Sequence, residues 1–326
     1  MITRGKRSGV AMISMLLLAC GAPAKPGANA MSAEPTVSIS GEPVATADDA
    51  PPTADTSKTS IHLHRTEHVG DRWHVVIDHV EDAVISIHVT TRRNEVAHKH
   101  LVKHFHLDAE WTTTAVNDQQ DEVSARIDVT KLTEDDVVLL KGKRIDLTEG
   151  STKDDAILNI DGKPVSAKVR KALENLTAVR IDAASSNDDL LGTPEPQHVG
   201  GHWSIGGERA RATLVNNNDV SATGLSGEAT LVGVDHVGGG EFLRIKADLE
   251  IDGMVYPLHH PGATCDPALG KMAVTAVFPV GESRGTIETH TSFAVAPRIH
   301  VPGPRGVSAA GDVDMAVQRD VVATPL

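Results

Sequence analysis

The sequence predicts an all-β fold, and three observations carry the prediction. Short Val-, Ile- and Thr-rich runs recur from Ser60 onward, clusters of Gly, Asp and Asn separate them, and helical periodicity surfaces once. Strands in succession without alternating helices argue for antiparallel sheets, built as a sandwich or a curved half-barrel.

The first runs are Trp73 to Ile77, Ala83 to Thr91, Val123 to Val129 and Val137 to Leu147. Pro164-Val165-Ser166 then opens a short helix near residues 165–177, whose Val169, Leu173 and Leu176 fall at i, i+4 and i+7. Strands resume at Glu208 to Val215, Glu228 to Val234, Phe242 to Ile251, Met272 to Phe278 and Gly285 to Ala296. Asp161-Gly162, Gly238-Gly239-Gly240 and Asp252-Gly253 suit hairpin turns that need positive φ. Trp73 and Trp203, each set near a Gly at a strand start, read as core anchors.

A weak internal repeat divides the β region into two related units. His68-Val69-Gly70-Asp71-Arg72-Trp73 matches His198-Val199-Gly200-Gly201-His202-Trp203, and Leu140, Gly142, Leu158 and Ile160-Asp161-Gly162 match Leu231, Gly233, Leu249 and Ile251-Asp252-Gly253. The competing explanation is chance, since such turns are common in β proteins. The expected organisation is residues 1–19 as a leader, 20–59 as a tether, 60–183 and 198–326 as β units, and 184–197 as the linker between them.

Composition excludes several function classes. The chain has 326 residues with 31 Lys and Arg against 44 Asp and Glu, a net charge of −13, which repels a nucleic-acid backbone. Only 4 Phe, 3 Trp and 1 Tyr are present, too few for base-stacking platforms. A mean hydropathy of −0.15 argues against multiple membrane-spanning helices. With 2 Cys, a disulfide framework is not expected.

The N-terminus specifies an address. Arg4, Lys6 and Arg7 precede the apolar stretch Val10 to Ala19, which is too short to span a bilayer of about 30 Å as a helix but fits the core of an export signal. It ends Leu17-Leu18-Ala19-Cys20-Gly21, which resembles the lipobox of bacterial lipoproteins. The resemblance implies cleavage before Cys20, a diacylglyceryl thioether on its sulfur, and a second acylation at the new N-terminus. Gly21, where inner-membrane retention in the enterobacterial form of the family uses Asp, implies outer-membrane sorting, facing either the periplasm or the medium. Cleavage removes the three basic side chains Arg4, Lys6 and Arg7 and no acidic one, so the net charge moves from −13 to −16. Residues 21–59 carry Pro23, Pro26, Pro35, Pro43, Pro51 and Pro52 among Ala, Ser and Thr, the composition of a disordered tether reaching up to about 100 Å when extended. The β region is diffusely similar to uncharacterised β-rich envelope lipoproteins, some of them half-barrels like the periplasmic lipoprotein carriers, and this likeness brings no catalytic residue with it.

Histidine is concentrated. Of 17, ten lie between His62 and His106. His98, His100, His104 and His106 share parity, which places all four on one face of a strand with Ala97, Leu101, Phe105 and Leu107 on the other. Neighbours two apart sit about 6.6 Å from each other along a strand, within reach of one Zn²⁺ or Cu²⁺, and His62 and His64 repeat the spacing. The plainer alternative is the wet side of an amphipathic strand.

Cys265 follows His259 and His260 in a Pro- and Gly-rich stretch, and reads as an incidental loop thiol rather than a nucleophile activated by His260. Gly224-Leu225-Ser226-Gly227 lacks the spacing of a nucleophile elbow. The expectation is therefore a non-enzymatic envelope lipoprotein, without a cofactor, whose partners are the membrane through Cys20 and an apolar ligand or envelope protein. The alternative is a transition-metal-binding lipoprotein built on the histidines.

Overall fold

The computed structural model describes residues 58–63, 66–90, 95–118, 121–148, 156–176, 187–218, 220–237, 240–256, 262–280, 285–302 and 308–326. The leader, Cys20, the tether up to residue 57, His64, His259 and His260 lie outside the described residues, and Thr59 of the expected tether belongs to β1.

The fold is all-β, with strands that pair antiparallel throughout into sheets not closed into a barrel. In chain order the elements are β1 (Thr59–Ile61), β2 (Arg72–Thr90), β3 (Glu95–Val116), β4 (Glu122–Glu134), β5 (Val137–Leu140), β6 (Lys143–Thr148), β7 (Ile157–Ile160), β8 (Lys163–Pro164) and the helix α1 (Ala167–Leu176). They continue with α2 (Asn187–Leu191), β9 (Thr193–Gln197), β10 (His202–Gly206), α3 (Glu208–Asn218), β11 (Gly224–Val237), β12 (Gly240–Met254), β13 (Thr264–Cys265), β14 (Ala268–Pro279), β15 (Ile287–Val295), β16 (Arg298–Pro302) and β17 (Ser308–Pro325). One 15-stranded sheet runs β10-β11-β12-β14-β15-β17-β2-β3-β4-β6-β7-β8, with β5, β13 and β16 attached at its sides, and β1 pairs with β9 in a small separate sheet.

The two expected β units therefore share one sheet. Their junction is β17, which pairs with β15 on one side and with β2 on the other, from Ser308↔Thr90 to Pro325↔Trp73. The presumed linker at 184–197 is also structured, since from Asn187 it forms α2 and β9.

The opening motif of the repeat builds the same local geometry twice. Gly70 and Gly200 take φ of 93° and 81°, a region where glycine meets no Cβ penalty. Gly70 N donates to Thr113 O at 2.9 Å and Thr113 N to Asp71 O at 3.0 Å; Gly200 N donates to Leu231 O at 2.8 Å and Leu231 N to Gly201 O at 3.1 Å. Each turn feeds a buried tryptophan, Trp73 at 7% exposure and Trp203 at 8%. The second motif lands differently in the two units. Asp161-Gly162 is the turn between β7 and β8, whereas Asp252-Gly253 sits inside β12 beside a register shift and makes no hairpin.

Three other sequence expectations are corrected. Trp73 to Ile77 and the expected strand from Ala83 are not separate but parts of the 19-residue β2, because no Gly, Pro or Asn breaks the parity between them. Val137 to Leu147 is interrupted at Gly142, whose φ of 60° ends β5 and opens β6. Glu208 to Val215 is not a strand but α3. Its Ala210, Thr213 and Leu214 are buried at i, i+3 and i+4, its Ala and Arg residues favour helix, and Glu208 complements the positive helix end. The helix near 165–177 forms as α1, with Val169, Ala172, Leu173 and Leu176 buried.

Both apolar cores lie on the same face of the sheet. One gathers Ile77, Phe105, Leu107, Ile127 and Ile145 beneath α1. The other gathers Ile85, Leu231, Leu243, Ile245 and Met315 with Ala210 and Leu214 of α3. Ile77 and Ile85 belong to one strand and share parity, so β2 passes from one core to the other on a single face.

Candidate functional site

Two polar arrays lie on opposite faces of β2 and β3. The outer array is the one legible in the sequence. His98, His100, His104 and His106 do occupy one face, and Phe105 and Leu107 on the other are buried. Leu101 is half-buried and Ala97 is exposed, so the core face fades toward the β2–β3 turn.

Each of these histidines has a partner across the strand, with Asp78 serving two of them. The His100 ring nitrogen Nε2 lies 2.7 Å from Asp82 Oδ1, and His106 Nδ1 lies 2.8 Å from Asp78 Oδ1, which also has His104 Nε2 at 3.5 Å. His98 Nδ1 shares a hydrogen bond of 2.9 Å with Ser86 Oγ. The pattern extends beyond the four: His74 faces Asp108 at 2.9 Å, His88 faces Asp312 at 3.4 Å, and His290 pairs with Asp320. His62 is exposed just after β1, whose partner is β9 rather than β3. Among the described residues no group of three or more His, Cys, Asp and Glu is arranged to hold a metal ion. With these histidines paired to carboxylates and a hydroxyl, native mass spectrometry is expected to show no metal held by His98, His100, His104 and His106. One metal equivalent lost in a His104→Ala, His106→Ala double variant would reverse that reading.

Cys265 is half-buried in the two-residue strand β13, opposite Ile299, rather than in a loop. Burial pushes its thiol above the ordinary range, which works against a thiolate nucleophile.

The inner array was missed by sequence reasoning. Where β2 passes between the two cores, its inward residues are His79 and Glu81 instead of aliphatics. Arg319 of β17 stands directly opposite His79, and Lys103 of β3 directly opposite Glu81. Three adjacent strands thus carry a row of charged groups across the covered face, a polar belt separating two apolar clusters. His79 is 8% exposed and Lys103 9%. The His79 Nε2 atom lies 3.2 Å from Glu81 Oε1, and its ring tilts against Phe105 at 5.9 Å between centroids.

Helix α1 closes the belt from above. Its apolar side enters the core under it, and its Lys168, Lys171 and Asn175, at i, i+3 and i+7, form a second flank. Lys168 Nζ reaches Glu134 Oε2 at 3.1 Å, and Lys103 Nζ reaches Glu134 Oε1 at 3.9 Å. The guanidinium of Arg319 donates to the carbonyl of Leu176 at the helix end.

Electrostatically the belt is cationic inside an acidic protein. Arg319, Lys103, Lys168 and Lys171 outnumber Glu81 and Glu134, while Glu174 is taken by Arg170 at 3.3 Å. Burial pushes the Arg319 guanidinium down to about 10. Lys171 is lowered first by burial and then by the nearby Lys103 charge, with Glu134 and Glu81 opposing. Among the described residues four buried side-chain atoms have no hydrogen-bond partner: His79 Nδ1, Glu81 Oε2, Asn175 Nδ2 and Arg319 Nε. Such groups cost stability unless something satisfies them.

The sign for Lys171 is definite. Its folded-state pKa lies below the unfolded 10.5, so the unfolded chain holds the proton more tightly and the charged side chain opposes folding at neutral pH. Lys171→Met is expected to raise the melting temperature at pH 7. The gain should shrink as pH climbs through the folded pKa toward 10.5, where the native side chain is also neutral. Thermal denaturation at pH 7 and in the alkaline range reads both.

No family model matches the chain, and no curated protein matches it. Solved structures with some likeness include OpdQ of Pseudomonas aeruginosa, 6% identical over 78% of this chain and 98% of that one with a TM-score of 0.18. A mutant porin of Rh. blastica is 7% identical over 76% of this chain and 99% of that one with a TM-score of 0.16. A loop-deletion form of OmpT, an outer membrane protein of Vibrio cholerae, is 9% identical over 76% and 99% with a TM-score of 0.13. At such scores the likeness carries no argument about this chain.

Proposed function

We propose that this chain is a lipid-anchored envelope protein whose β domain works as a non-catalytic binding module. The single observation that carries the reading is the order of features at the N-terminus: a basic start at Arg4, Lys6 and Arg7, the apolar stretch Val10 to Ala19, and Cys20 followed by Gly21. Two acyl attachments supply enough buried methylene for stable anchoring, where a single chain would not. The Pro-rich segment 21–59 then separates the anchor from the folded domain.

The distribution of charge over the sheet supports a domain hung from the membrane rather than set into it. The outward face of β2 and β3 carries Asp78, Asp82, Asp108 and Glu110 among the histidines, and such side chains are costly against hydrocarbon. Apolar side chains instead gather on the face beneath α1 and α3. Binding fits this domain better than turnover, because cations outnumber carboxylates in the array on the covered face and burial raises the Cys265 thiol above its ordinary range. Membrane fractionation of Cys20→Ser tests the anchor.

A further inference from the structure

We infer that the polar belt beneath α1 is a binding site for a phosphate group that keeps at least one proton, either inorganic phosphate or a phosphate monoester. The inference rests on the reading of the domain as a binding module and names what the module holds.

The unpartnered atoms set the chemistry. Arg319 Nε and Asn175 Nδ2 are donors, and with His79 Nε2 donating to the Glu81 carboxylate the neutral ring leaves Nδ1 as an acceptor. Lys171, half-buried and without an ion pair among the described residues, adds an ammonium that feels the charges of Lys103, Glu134, Glu81 and Glu174. Two donors and an ammonium in a cationic setting call for an oxyanion, and the acceptor His79 Nδ1 calls for one that also carries a hydroxyl. The fourth unpartnered atom is the acceptor Glu81 Oε2. A fully deprotonated oxyanion would meet that carboxylate with repulsion, whereas a phosphate retaining a hydroxyl can donate to it. Sulfate has the same shape and no proton at neutral pH, so Glu81 makes the belt discriminate between the two.

The placement explains a feature that stability alone does not. Two apolar clusters would merge if Arg319, His79, Glu81 and Lys103 were aliphatic, and an apolar replacement of buried charge is commonly neutral or stabilising. The row is instead charged on three successive strands and matched by Lys168, Lys171 and Asn175 along one flank of the helix above.

The test is calorimetric titration of the full chain, in detergent and phosphate-free buffer, with inorganic phosphate, sulfate and short-chain phosphatidic acid, followed in parallel by ³¹P NMR. The expected result is saturation at one equivalent by a protonated phosphate and weaker binding of sulfate. Lys171→Gln should weaken phosphate roughly tenfold or more, the loss of one charge-assisted contact. Glu81→Gln should erase the preference over sulfate, a readout that a merely structural role for Glu81 would not move. Far-UV circular dichroism of both variants verifies the sheet. Tighter binding of inorganic phosphate assigns the site to a free solute, and tighter binding of phosphatidic acid assigns it to a lipid headgroup; both uphold the protonated phosphate. No saturable binding to the folded chain, or equal affinity for sulfate in the native protein, overturns it. Release of inorganic phosphate from phosphatidic acid would instead sink the non-catalytic reading while leaving the site in place, and neither outcome depends on the fate of Cys20→Ser.

Discussion

Cys20→Ser is expected to move the protein from the membrane fraction to the soluble fraction almost completely. Serine is nearly isosteric but cannot form the thioether to diacylglycerol, so the variant loses its lipid and, with it, the signal for cleavage between Ala19 and Cys20. Each acyl methylene removed from water contributes about 0.8 kcal/mol, which makes the difference between two or more chains and none far larger than any surface contact could offset. A second membrane attraction through charge is not available to compensate, since the uncleaved chain still carries a net charge of −13 and anionic headgroups repel it. Fractionation with and without high salt, together with labelling by radioactive palmitate, checks the outcome. A variant that remained membrane-bound through a salt wash would remove the anchor from the proposal.

The second large effect concerns β17. Deleting residues 308–326 is expected to abolish soluble expression rather than trim the edge of the fold. The strand lies inside the sheet, paired with β2 along its whole length and with β15 and β16 on the other side. Its loss would leave two unpaired strand edges facing each other, the kind of template that drives aggregation. It would also remove Val313 and Met315 from one core and Val321 from beside the other. Retained cooperative melting of the truncated chain, measured by circular dichroism, would show that the halves fold independently.

The contrast between what could be read beforehand and what could not has a physical basis. The class was legible because β-branched runs between Gly and Asp clusters have few other uses, and α1 was legible because its apolar residues hold a clean 3.6-residue period. The shared face of His98, His100, His104 and His106 followed from strand parity alone. The helix α3 was misread: Thr213, Leu214 and Val215 suggest a strand while Ala and Arg favour helix, and the burial of Ala210, Thr213 and Leu214 decides between them. The belt was hidden for a different reason. In sequence, Asp78-His79-Val80-Glu81-Asp82 is a polar interruption that ends one strand and precedes another. Only the register, which sets Arg319 against His79 and Lys103 against Glu81, shows that the interruption continues sideways onto three strands and lies indoors. Register is fixed by contacts far apart in the chain, and one sequence does not contain them in readable form.

The position of β17 bears on when the protein can fold. The strand follows every other member of the large sheet in chain order, yet it sits between β15 and β2 and pairs Pro325 with Trp73. Neither half can be joined to the other until that segment has left the ribosome, and the pairing then closes a loop through nearly the whole domain. Loops of that length form late and slowly, since the entropy of closure comes before the contacts that reward it. For the export proposed above, the delay keeps the large sheet incomplete until the last segment of the chain has crossed.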